Sequence, residues 1–296
     1  MADILKIDSV SKYNKLRGVK TSHPLISVIE SSKVKKLPQG TYNFGVYSIL
    51  LKELKCGELK YGRGNYDYQD GTLVFLAPGQ IIGVPENTPK PKGWALLFHP
   101  DLIKGTSLGK DINRYDFFSY EVNEALHISE DERKLTIDQF KKIQKEIESA
   151  IDHHSKKIIV SSLELLLHYC TRFYDRQFIT RDHVNKGVLE KFEQFLSDYF
   201  KSEQPQQVGF PTVKYFANLV HLSSNYFGDL VKKETGISPL EHIQAKVIDL
   251  AKERIFDIDK SIAEIAYELG FKYPQHFTRL FKEKTGMTPI QYRGLN

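Results

Sequence analysis

The residues Ser261–Arg293, SIAEIAYELGFKYPQHFTRLFKEKTGMTPIQYR, decide how this chain is read. Ile262, Ile265, Ala266 and Leu269 fall at helical spacing, and Gly270 breaks the run where a left-handed turn residue belongs. A second helix is expected from about Pro274, because proline in a first turn gives up an N–H that has no intrahelical partner. Phe277, Leu280 and Phe281 share its apolar face. Gln275, Thr278, Arg279 and Lys282, with His276 beside them, are left for the other side. Two short helices joined by a tight glycine turn, about 261–285, describe a helix-turn-helix. In such a unit the first helix braces and the second enters the DNA major groove, which accommodates an α-helix.

Working outward, the same pattern occurs a second time upstream, in TVKYFANLVHLSSNYFGDLVKKETGISPLEHI from Thr212 to Ile243. Val213 aligns with Ile262 and Phe216-Ala217 with Ile265-Ala266. After one extra residue in the later turn, Leu230 aligns with Leu280 and Thr235-Gly236 with Thr285-Gly286. This is an internal repeat, with a first helix-turn-helix expected over about 212–235. Between the copies, Pro239 to about Phe256 reads as one helix of about 27 Å, a rod able to hold two recognition helices near the ~34 Å spacing of successive major-groove entries.

The copies are unequal. Opposite Gln275, Thr278 and Arg279 the first copy has Asn225 or Tyr226, Gly228 and Asp229, and His221 stands where the later copy has Gly270. The second copy is therefore expected to carry most base reading, Gln275 favouring adenine and Arg279 guanine. Asn225 and Asp229 are the weaker readers. Ser223 and Ser224 at a helix start, with Lys232, Lys233, Lys282 and Lys284, are candidates for phosphate contacts.

The string of IA, LGF, a helix ending in FK, then G, TP and YR resembles, without a gap, the C-terminal half of the AraC/XylS family of bacterial transcription regulators. The resemblance implies tandem helix-turn-helix units on double-stranded DNA, contact with RNA polymerase and activation as the usual outcome. It also implies an N-terminal effector barrel and helices that often pair two subunits.

Upstream, SEQPQQVGFP is polar and carries two prolines, so residues 203–211 are expected to be a linker between region 1–202 and a DNA-binding domain 212–296. Apolar stripes predict helices over Gly187–Phe200, over Lys156–Tyr174 and from a capped start at Ser129, together spanning about 129–201. From about 20 to 100 the texture is strand-like. Leu25–Ile29, Tyr42–Leu51, Thr72–Leu76 and Ala95–Phe98 are candidate strands, separated by Gly, Pro and Asn turns. Many short strands predict a small barrel or sandwich, and DGTLVFLAPGQ is similar to the cupin-like effector barrel of AraC-type regulators. The fold expected is therefore α+β in two domains, a cupin-like β-barrel with a helical hairpin followed by an all-α domain with two helix-turn-helix motifs. Tyr42, Phe44, Tyr66 and Trp94, with Arg63, are candidates to line a pocket for a small polar or anionic effector.

The formal charge of +5 over 296 residues is mild, and it divides into 30 basic against 27 acidic residues before Gly209 and 12 against 10 after it. The expectation of DNA binding thus rests on motif and placement rather than on net charge. Cys56 and Cys170 stand in no metal-like spacing and are expected to be free structural thiols of a reducing cytosol. There is no signal-peptide pattern and no apolar run of about 18 residues, so a cytoplasmic protein without membrane contact is expected. No cofactor and no catalytic residue is assigned. Two other readings are a dimeric DNA-binding regulator without a ligand, and a metal-dependent cupin enzyme fused to a DNA-binding module. Against the latter, His23 and His99 stand apart from any second His and Glu.

Overall fold

The computed structural model describes residues 4–52, 71–86, 92–121, 124–149, 152–180 and 182–295, the side chains of 180 and 182–184 excepted. The chain divides into two compact units, Met1–Thr180 and Arg181–Asn296.

In the first unit the strands are β1 (Ile4–Ile7), β2 (Ile26–Glu30), β3 (Gly40–Phe44), β4 (Tyr47–Lys52), β5 (Thr72–Leu76), β6 (Ile81–Val84), β7 (Gly93–Phe98) and β8 (Leu126–His127). Its helices are α1 (Val10–Arg17), α2 (Pro100–Ile103), α3 (Ser107–Asp111), α4 (Glu130–Glu148) and α5 (Ser155–Thr180). The strands form two sheets, ordered β1-β3-β6 and β2-β7-β4-β5-β8, in which only β1 and β3 run parallel. Among the described residues neither sheet closes, since β1, β6, β2 and β8 each pair on one side. The cupin-like barrel expected over 20–100 is corrected to this pair of open sheets. Alternation of side chains fixes which face of a strand is buried but says nothing of closure.

The expected single strand Tyr42–Leu51 is also two strands, in different sheets. Gly45 is the reason the chain can cross there. Its N–H donates to the Ile7 carbonyl at 2.8 Å, and a Cβ on it would stand 3.1 Å from the Asp8 backbone. Ile7, Val10, Tyr13, Tyr42, Phe44 and Leu97 belong to one buried cluster that joins α1 to strands of both sheets. The opposite face of the larger sheet carries Tyr47, Phe75 and Phe98. Tyr47 stacks on Phe98 and meets Phe118 edge-on, Phe75 packs against Phe117 and Phe118, and Phe117 in turn stacks on Tyr174 of α5. α4 starts at the expected Ser129 cap, with Glu132 closing a capping box. Cys170 is buried and unpaired, and burial pushes its thiol well above the ordinary range. Cys56 lies outside the described residues.

The second unit is helical throughout: α6 (Asp182–Lys201), α7 (Gln204–Val208), α8 (Val213–Leu219), α9 (Ser224–Thr235), α10 (Pro239–Arg254), α11 (Ile262–Glu268), α12 (Pro274–Thr285) and α13 (Pro289–Arg293). Phe192 of α6 meets Phe216, Phe227 and His242 edge-on at 5.2–5.9 Å, and Asn185 bonds Glu234 at 3.0 Å. The helix expected to belong with region 1–202 therefore packs in the C-terminal unit. Residues 203–211, read as a linker, contain α7 and are tied down as well, with Tyr199 donating to the Gly209 carbonyl at 2.7 Å and Tyr215 to Gln204 at 2.9 Å.

Candidate nucleic-acid interface

The two halves of the C-terminal unit repeat the same hydrogen bonds where their first helices begin and end. Thr212 and Ser261 cap α8 and α11 by accepting the N–H of Tyr215 and Glu264. Each helix then closes with one N–H bonded three residues back, His221 to Asn218 and Gly270 to Tyr267, and the next N–H five back, Leu222 to Ala217 and Phe271 to Ala266. Both closing residues have positive φ, 59° at His221 and 90° at Gly270, as the turn requires. Lys272 is the extra residue that shifts the alignment by one. α9 and α12 end alike on Gly236 and Gly286, at φ 83° and 80°, each N–H on a lysine carbonyl. Beyond them Ser238 with Glu241 and Thr288 with Gln291 form capping boxes that start α10 and α13.

This frame fixes what each second helix presents. On α12, Phe277 and Phe281 are fully buried, whereas Gln275, His276, Arg279 and Lys282 are exposed and Thr278 is half-buried. Arg279 and Lys282 make no ion pair among the described residues. On α9, Tyr226 is buried, so the position equivalent to Gln275 belongs to Asn225, which is exposed. Gly228 offers no side chain there, and Asp229 is half-buried and already engaged. Ser223 uses its oxygen to cap α9 at 3.2 Å from the Tyr226 nitrogen, Ser224 is half-buried, and Lys232 is exposed in the last turn. α12 has no side-chain cap at its start. Instead exposed Tyr273 carries the Lys272 ammonium 5.6 Å over its ring and the His276 imidazole 5.6 Å away. Sequence reasoning passed over this Lys272-Tyr273 pair, although the one-residue insertion marks it.

The final Tyr-Arg has a bracing role. Arg293 donates to the carbonyls of Ile255 at 2.5 Å and Lys260 at 2.9 Å, and so pins α13 to the connection before α11. Glu268 holds the end of α10 through Arg254 at 3.4 Å and the same connection through Lys260 at 2.6 Å, which keeps the Lys260 ammonium above its ordinary pKa.

Residues 216–294 match a family model described as a helix-turn-helix domain. This part of the chain is an AraC-type helix-turn-helix domain. Among curated proteins the chain is similar to two uncharacterized HTH-type transcriptional regulators of Bacillus subtilis. YtdP is 35% identical over 112 residues, covering 38% of this chain and 14% of that protein. YfiF is 30% identical over 145 residues, covering 49% and 43%. The chain thus spans less than half the length of these relatives. Among solved structures, the C-terminal domain of the response regulator yesN from Fusobacterium nucleatum is 25% identical over 36% of this chain and 98% of that one, with a TM-score of 0.32. The AraC-type domain begins in α8 and ends after α13, so α12 and its exposed face lie inside it.

In the other unit, Tyr42 and Phe44 are core residues, and the Tyr42 hydroxyl donates to the Pro38 carbonyl at 2.8 Å. Trp94 lies on β7 opposite Glu30 of β2. Arg63 and Tyr66 lie outside the described residues. His23 and His99 are engaged locally, their Nδ1 atoms accepting the N–H of Leu25 and Asp101. No group of three metal-ligating side chains occurs among the described residues, and none of their helices is long and apolar enough to cross a membrane.

Proposed function

We propose that the chain is a cytoplasmic, sequence-specific DNA-binding transcription regulator of the AraC family. Both helix pairs act as helix-turn-helix units, and α12 is the principal reader. The observation that carries this reading is the exposed row Gln275, Arg279 and Lys282, without an ion pair among the described residues, on a helix whose other face is locked by Phe277 and Phe281. Rigid presentation of a bidentate donor is what reading a guanine edge requires. The uncapped start of α12, beside Lys272, leaves helix N–H groups to meet a phosphate. α10, at about 24 Å, spaces α9 and α12 for successive major-groove entries.

The N-terminal unit responds to a small molecule, and the regulator works as an activator through RNA polymerase. It acts as a homodimer, a reading supported by Ile158, Leu165 and Ile179 of α5, which stand exposed at multiples of seven residues. Selection of binding sites from a random duplex pool tests the core of the proposal. It should return sites with two contacted segments about one helical turn apart, ~34 Å. Binding without sequence preference contradicts it.

A further inference from the structure

A groove of about 340 Å³ opens at the β2 edge of the larger sheet, where α4 and the short 3-10 helix Ser31–Lys33 meet it. Its apolar wall is Val19, Val28, Ile29, Val34 and the indole of Trp94, and its polar rim is Glu30, Lys33, Lys141 and Gln144. The rim is not balanced. The Glu30 carboxylate is taken by Lys33 at 2.7 Å and by the Ser32 hydroxyl at 2.9 Å, and the Gln144 amide N–H group is turned to Glu148 at 3.0 Å. The Lys141 ammonium makes no ion pair within 4 Å among the described residues, although its charge also favours the ionised Glu30 carboxylate, and the Trp94 indole N–H has no hydrogen-bond partner there. Two lysines thus face one carboxylate, which leaves the rim with a net positive charge.

We propose that this groove binds a small organic acid, with its hydrocarbon or aromatic body on Trp94 and the valines and its carboxylate on Lys141. A mostly apolar concavity with one or two fixed polar groups is the usual form of a small-molecule site. The site bridges the edge strand to α4, so occupancy holds the α4–α5 hairpin against the sheet and favours one arrangement of it over another. This deepens the reading of the N-terminal unit as a sensor and rests on it.

The sequence contains a single tryptophan, so its fluorescence reports on this groove alone. The test titrates the full chain with benzoate, phenylpropionate and octanoate, and with the corresponding neutral amides. A saturable change for at least one acid, absent for its amide, is expected. Lys141→Gln should weaken that acid about tenfold, as loss of a charge-assisted contact does, without altering the far-UV spectrum. Trp94→Phe should abolish the signal while the acid still raises the melting temperature by mass action. Equal response to acid and amide, no response to any acid, or unchanged affinity in Lys141→Gln overturns the proposal. A compound that raises the melting temperature without changing the Trp94 fluorescence would overturn this groove while leaving the sensing reading in place, so the two failures are distinguishable.

Discussion

His221 and Gly270 close α8 and α11 with the same hydrogen-bond pattern, and only one of them suits the place. A non-glycine residue at positive φ carries a strain of about 1–2 kcal/mol, and His221 sits at φ 59°. Gly270 is required twice over. Its φ is 90°, and a Cβ there would come within 2.7 Å of the Gly209 carbonyl carbon and 2.9 Å of the Phe210 nitrogen.

Substitution in the two turns should therefore have opposite signs. His221→Gly is expected to be neutral or to stabilise by up to about 1 kcal/mol, the relieved strain being partly offset by the freer unfolded chain. Gly270→Ala should cost about 2–3 kcal/mol. Thermal unfolding of the two variants checks this, and equal effects would contradict it.

Arg17 is 3% exposed, and its Nε and Nη2 find no hydrogen-bond partner among the described residues. Nη1 reaches only the Tyr13 hydroxyl, at 3.4 Å. A buried cation without a counter-charge is costly, so Arg17→Met is expected to stabilise the protein by about 1–3 kcal/mol. A drop in melting temperature would show that the guanidinium has a partner the described residues do not include.

Arg293 joins α13 to two carbonyls of the α10–α11 connection. Arg293→Ala should cost about 1–2 kcal/mol, given charge-assisted bonds at a half-buried site. Amide exchange should rise at Lys260 and Ser261 rather than in α8 and α9. Uniform loss of protection would argue against a local brace.

Glu264 and Glu241 are held below their ordinary value of 4.5, Glu264 chiefly by the Ser261 hydroxyl and Glu241 chiefly by the Ser238 N–H. A carboxyl whose folded pKa is depressed stabilises above the unfolded value, and that contribution fades as pH falls below 4.5 through the folded value. Glu264→Gln keeps the capping box without the charge. Its melting temperature should lie below wild type at pH 7 and converge on it as pH falls below 4.5. A gap independent of pH would contradict the assignment.

Much of the C-terminal half was legible because its signals are local. Gly270, Pro274 and the Ser-x-x-Glu starts each act within one turn of helix, and a one-residue insertion shows in an alignment of the two copies. What the sequence did not disclose depends on partners distant in the chain. The stripe on α6 announces a buried face but not that Phe216 and Phe227 cover it, and Gln204–Val208 is polar enough to pass for a linker because its order comes from Tyr199 and Tyr215. Tyr42–Leu51 reads as one strand because nothing in it reveals that Gly45 must pass against Ile7. Of the candidate site, the α12 row was readable from spacing alone, whereas the choice between Asn225 and Tyr226 needed the burial of Tyr226.

The most direct test of the central claim compares genome-wide binding of the wild type with that of Arg279→Ala, with affinities checked at two salt concentrations. If α12 reads sequence through Arg279, the variant relaxes one guanine in the site at about 1–3 kcal/mol and keeps the salt slope set by phosphate contacts. If the variant occupies the same sites with equal affinity, readout does not lie in α12, and Asn225 with Asp229 must carry it.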